Sequence, residues 1–136
     1  MTVASATNGF SMPQVLRLTG YGVLLWAAGV LFLRFAASVG WLSGSAQLLV
    51  YFLVIPATVP LLRLVPPVGG VDRSALVPAV ALVSLTALLI DGIVIGYVPW
   101  VYASDPDRAR ACAGALLWAV GVAMALSFLM APRAPR

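Results

Sequence analysis

The chain has 136 residues, 62% of them in the set AVILMFWYC and only 9% charged, with a formal net charge of +4. Soluble domains carry about 25% charged residues. A water-soluble monomer this apolar would expose large hydrophobic patches, which monomers avoid. The mean hydropathy of +1.06 agrees. An all-α membrane protein is expected, with no separate soluble domain.

The polar inventory narrows the chemistry further. The charged residues are eight Arg and four Asp, with no Lys, Glu or His. Without His the commonest general base and the commonest haem and zinc ligands are missing. One cysteine, Cys112, forms neither an internal disulfide nor a CxxC pair. No Gly-rich phosphate motif or nucleophile elbow is present. The expectation is a non-enzymatic protein with no catalytic residues, metal or cofactor. The basic residues are too scattered to track nucleic-acid phosphates and suit cytoplasmic membrane anchors better. Arginine without lysine also points to GC-rich coding.

In chain order, residues 1–17 read as a cytoplasmic tail without the pattern of a cleaved signal peptide. Four apolar stretches follow, at about 18–38, 45–65, 75–98 and 109–131. Each approaches the roughly 20 residues that a helix needs to cross a bilayer. Runs such as Leu48 to Ile55 lack the alternation of a β-barrel strand. Gly40, Ser43 and Gly44 separate the first two spans, and residues 66–70 separate the second and third. Asp105-Pro106-Asp107 supplies an N-cap, a first-turn proline and a first-turn acid for the fourth span. Residues 132–136 form a second tail.

Five arginines, Arg17, Arg63, Arg73, Arg133 and Arg136, fall on one side of this up-down-up-down bundle. Arg108 and Arg110 fall on the other, beside two acids. The positive-inside rule then places both termini in the cytoplasm. Trp41, Tyr97, Trp100 and Tyr102 are expected in an outer aromatic belt, with Tyr21 near the inner interface.

Arg34 and Asp91 are the charges left well inside spans. At 1.5 Å per residue, Arg34 lies about 24 Å up the first helix and Asp91 about 25 Å up the third. That equal depth predicts an Arg34–Asp91 bridge, with the Tyr51 hydroxyl joining it. Such a pair either fixes helix register or marks a proton, cation or partner site.

Packing signals complete the reading. Ala111, Ala115, Ala119, Ala123 and Ser127 stand at i+4 spacing on span four, and Gly92 and Gly96 form a GxxxG on span three. Gly22 and Gly29 thin span one. Small residues allow close helix approach, within the bundle or with another chain. Pro56 and Pro60 predict a break in span two, because each removes a backbone donor. Trp26 and Trp118 are expected in packing or lipid contact, and Cys112 as a small apolar residue.

YGVLLWAAGVLFLRF at 21–35, LLID at 88–91 and LLWAVGVAM at 116–124 resemble an uncharacterised family of short bacterial four-span proteins. That resemblance implies the bacterial cytoplasmic (inner) membrane and no established activity. Small multidrug-resistance exporters are similar in size, but they carry a Glu in span one, where this chain has no acid. The favoured functional expectation is an accessory or assembly subunit of a larger membrane complex, touching lipids and other membrane chains. The alternative is a small oligomeric transporter or channel using Asp91, Arg34 and the proline-bearing helix.

Overall fold

The computed structural model describes residues 9–133, and these form four long α-helices with no strand among them. They are α1 (Met12–Ser38), α2 (Gly44–Gly69), α3 (Leu76–Tyr97) and α4 (Pro106–Met130). Short 3₁₀ turns occupy Arg73–Ala75 and Pro99–Val101. Every helix is long and apolar enough to cross a membrane. Large apolar side chains such as Leu31, Phe52, Leu89 and Leu129 lie exposed around the outside. In water such a surface would aggregate; in hydrocarbon it is solvated.

Two boundaries differ from the sequence reading. The helix expected from residue 18 begins at Met12, so only part of the 1–17 stretch is a tail. Ser11 and Gln14 form the start signal: the Ser11 amide donates to Gln14 Oε1 at 2.9 Å, and Pro13 stands in the first turn. The turn expected at residues 66–70 is still helix through Pro66 and Pro67. It ends at Gly70, whose φ of +65° favours glycine, with the Val71 amide returning to the Pro66 carbonyl at 3.1 Å. Asp105 caps α4, accepting the Asp107 and Arg108 amides at 2.7 and 3.3 Å. Residues 1–8 and 134–136 of the expected tails, Arg136 included, lie outside the described residues.

Helix α1 packs most extensively on α3. A Cβ on Gly22 would lie 2.8 Å from the Val83 carbonyl oxygen and 2.9 Å from Thr86 Cβ, so the two backbones meet where α1 has no side chain. Contacts ascend together from there, through Trp26 with Asp91 and Arg34 with Val101. Along α2 they run the other way, with Gln14 donating to the Gly70 carbonyl and Tyr21 to the Leu61 carbonyl.

The packed interior is split. One cluster, at the end where α1 joins α2, contains Val30, Leu33, Leu42, Tyr102 and Cys112. The other, at the opposite end, contains Leu18, Leu62, Val65, Leu76 and Val80. A cavity of about 550 Å³ lies between the helices, with walls drawn from both clusters. Small residues keep that space open: Gly29 on α1, Ala57 on α2, Ala87 on α3 and Ala119 and Ala123 on α4.

Candidate functional site: a buried carboxyl at an interhelical cavity

The expected Arg34–Asp91 bridge does not form. Arg34 is exposed, and its Nη1 donates to the Val101 carbonyl at 2.9 Å. Among the described residues the one ion pair is Arg110–Asp107, at 3.7 Å on the surface. The cause is register. Counting depth from Leu18 and Ser74 sets residue 34 level with 91, whereas the Gly22 crossing shifts α1 by about two turns relative to α3. Trp26 therefore faces Asp91, and Arg34 passes beyond the end of α3.

Asp91 is 4% exposed and accepts two hydrogen bonds on a single oxygen. Trp26 Nε1 donates to Oδ1 at 2.9 Å, and the Tyr102 hydroxyl donates to the same Oδ1. Trp26 Nε1 also lies 3.2 Å from the Tyr102 oxygen, closing a three-residue cluster. Indole nitrogen is donor only, so its direction is unambiguous. Burial, reinforced by the neighbouring Asp91 carboxylate, raises the Tyr102 phenol above its ordinary value. Tyr102 therefore stays protonated and acts as a donor. Asp91 Oδ2 is buried and has no hydrogen-bond partner among the described residues.

Tyr102 was expected in the outer aromatic belt with Trp41, Tyr97 and Trp100. Those three are exposed, but Tyr102 is 1% exposed. The turn at Pro99–Val101 folds it back so that its hydroxyl returns to α3, 11 residues after the acid. Sequence reasoning missed both Trp26 and Tyr102 as partners of Asp91. The available signal was chemical: a buried acid needs donors, and Trp and Tyr are the apolar residues that carry one.

Tyr51 does not join the cluster either. Its ring stacks on Trp118, with centroids 5.4 Å apart and planes 13° from parallel. Its hydroxyl meets Gln47 Nε2 at 3.4 Å, while Trp118 Nε1 donates to the Tyr51 carbonyl at 2.9 Å. This couples α2 to α4. Cys112 is buried, its Sγ 3.8 Å from the Leu33 carbonyl, and serves as a small interior residue.

The small-residue strip turns inward. Ala115 and Ser127 are buried, Ala111 is half-buried, and Ala119 and Ala123 line the cavity. Gly92 and Gly96 instead lie on the exposed face of α3, where a Cβ on either would meet nothing within 4 Å. Their GxxxG packs no helix of this bundle; Gly22 makes the close approach. Pro56 and Pro60 are exposed and do not break α2, which runs unbroken from Gly44 to Gly69. Their rings face outward, where the groups they displace are other than core packing. Thr58, between them, points inward and donates to the Val54 carbonyl at 2.7 Å.

Asp91 and Trp26 border the cavity, which is otherwise almost wholly apolar apart from Thr58 and Ser84. Its exposed wall residues are Ala28 and Phe32 on α1, Trp41 in the turn that follows, and Leu53, Ala57 and Leu61 on α2, which opens the cavity to the outside of the bundle between those two helices. The arrangement offers a deep apolar slot with one acidic group. Among the described residues no group of three or more His, Cys, Asp or Glu is placed to hold a metal.

The register also makes a prediction. Exchanging the charges, Arg34→Asp with Asp91→Arg, should give no rescue over the single variants, and Arg34→Gln alone should change stability by under about 1 kcal/mol. Thermal unfolding of the wild type and the four variants in nanodiscs checks this, and recovery in the double variant would restore the bridge.

No protein-family model, curated protein or solved structure matches the chain.

Proposed function

We propose that the protein is a non-enzymatic helical bundle of a bacterial cytoplasmic membrane, with both termini cytoplasmic, that takes a lipophilic molecule from the bilayer into the cavity between its helices. The observation that carries this reading is Asp91: a buried carboxyl, satisfied on one oxygen only, bordering an apolar cavity that opens between α1 and α2 on the outside of the bundle. Small-molecule sites are typically apolar clefts of about 300–1,000 Å³ with a few placed polar groups. An intramembrane acid is a functional-site candidate by default. The reading belongs to the small-transporter class. An accessory-subunit role rests on composition alone once the α4 strip faces the bundle interior.

The test uses the neutral probe N-phenyl-1-naphthylamine with protein in zwitterionic nanodiscs, referenced to empty nanodiscs. A saturable component with one site per chain is expected. Gly29→Phe should abolish it at unchanged helicity, because Gly29 lines the cavity and a Cβ there meets nothing within 4 Å. No saturable component, or equal binding by the variant, would overturn the reading.

A further inference from the structure

Within that cavity reading, on which this step rests, we infer that the preferred guest is a lipophilic amine bound as its ammonium ion, with the nitrogen at Asp91 Oδ2 and the apolar body between α1 and α2. Four observations converge on a cation. Both protein groups bonded to Asp91 are donors acting on Oδ1; these bonds favour the ionised carboxylate while burial opposes it, so a cationic guest would tip the balance toward the charged form. Oδ2 is buried without a partner among the described residues, so one strong acceptor is left for an outside donor.

The third observation concerns charge. Arg34, the basic residue expected to pair with Asp91, spends its guanidinium on the Val101 carbonyl, and no basic side chain lines the cavity. A buried carboxylate without a counter-charge is costly, and a cationic guest would supply one. The fourth is the wall itself. Trp26, Phe32 and Trp41 line the cavity, and aromatic faces attract ammonium ions. The same wall offers a carboxylate guest only repulsion from Asp91. A neutral guest gains the apolar burial but leaves the charge uncompensated.

Competition for the neutral probe separates these cases. Dodecylammonium, dodecanol and dodecanoate share an apolar tail and differ in headgroup charge. In zwitterionic nanodiscs, dodecylammonium should displace N-phenyl-1-naphthylamine at least about tenfold more effectively than dodecanol, and dodecanoate should be weakest. In Asp91→Asn the amine-to-alcohol ratio should fall to within about twofold, with dodecanol itself little changed. A wild-type ratio near one, or a tenfold ratio that survives in Asp91→Asn, would overturn the amine assignment while leaving the cavity reading standing. Absence of probe binding to the wild type would instead overturn the cavity reading. Should Asp91→Asn fail to fold, the same competition in Asp91→Ser takes its place, with the same expected and contradicting ratios.

Discussion

Gly22→Val is expected to destabilise the bundle by about 2–3 kcal/mol, near the upper end of the range for overpacking a close contact. The new Cβ would lie 2.8 Å from a backbone carbonyl oxygen, and backbone does not swing aside as a side-chain tip does. Valine's better intrinsic helicity returns only a few tenths of a kcal/mol, so the clash wins. The effect should extend beyond stability. Separating α1 from α3 at Gly22 also separates Trp26 from Asp91 one turn away. Gly92→Ala and Gly96→Ala are the matched controls, expected within about 0.5 kcal/mol of wild type or slightly stabilised. Unfolding in mixed micelles ranks the three. A tolerated Gly22→Val with a damaging Gly92→Ala would relocate the critical helix crossing to the GxxxG.

Tyr102→Phe is expected to cost about 1–2 kcal/mol. Bonds to charged groups are worth about 1.5–3 kcal/mol in soluble proteins, but interhelical bonds in membranes measure lower, rarely above about 1.7. The deleted hydroxyl leaves Asp91 Oδ1 with Trp26 alone. Because Trp26 also approaches the Tyr102 oxygen, Trp26→Phe and Tyr102→Phe should combine non-additively. Tyr97→Phe, at an exposed site, should be silent. Strict additivity between the first two substitutions would show that they do not act on one acceptor.

Much of the fold was legible because hydrophobic length dominates in a membrane chain. Four apolar runs dictate four helices, and Asp105-Pro106-Asp107 marks the start of α4 by local chemistry alone. The shortfalls at Ser11–Gln14 and Pro66–Pro67 have a common origin. Helix ends depend on which backbone groups find partners, and a capping Gln or a terminal αL glycine can outweigh a polar or proline-rich composition. Asp91 was equally legible, since an acid inside a span stands out against its neighbours.

Its partners were not legible, because they depend on interhelical register. Depth counted along single helices treats each as an independent rod. The true offset is set by Gly22 against Val83 and Thr86, a contact between residues distant in sequence. An error of about two turns exchanges Trp26 for Arg34. Tyr102 needed a further step, a loop that folds back into the bundle. The cavity was harder still: it arises from where small residues on four helices coincide. The i+4 alanines of α4 announced one of its walls without saying which way that wall faced.

The most direct test of the account is photolabelling with a dodecylamine that carries a diazirine midway along its chain. Cross-linked in nanodiscs and mapped by peptide mass spectrometry, it should label the facing segments Ala28–Phe32 on α1 and Leu53–Ala57 on α2. Excess dodecylammonium should suppress that labelling, and Asp91→Asn should reduce it. Labelling spread over lipid-facing residues such as Leu89, Leu117 and Leu129, and insensitive to both, would contradict a carboxyl-anchored site within the bundle.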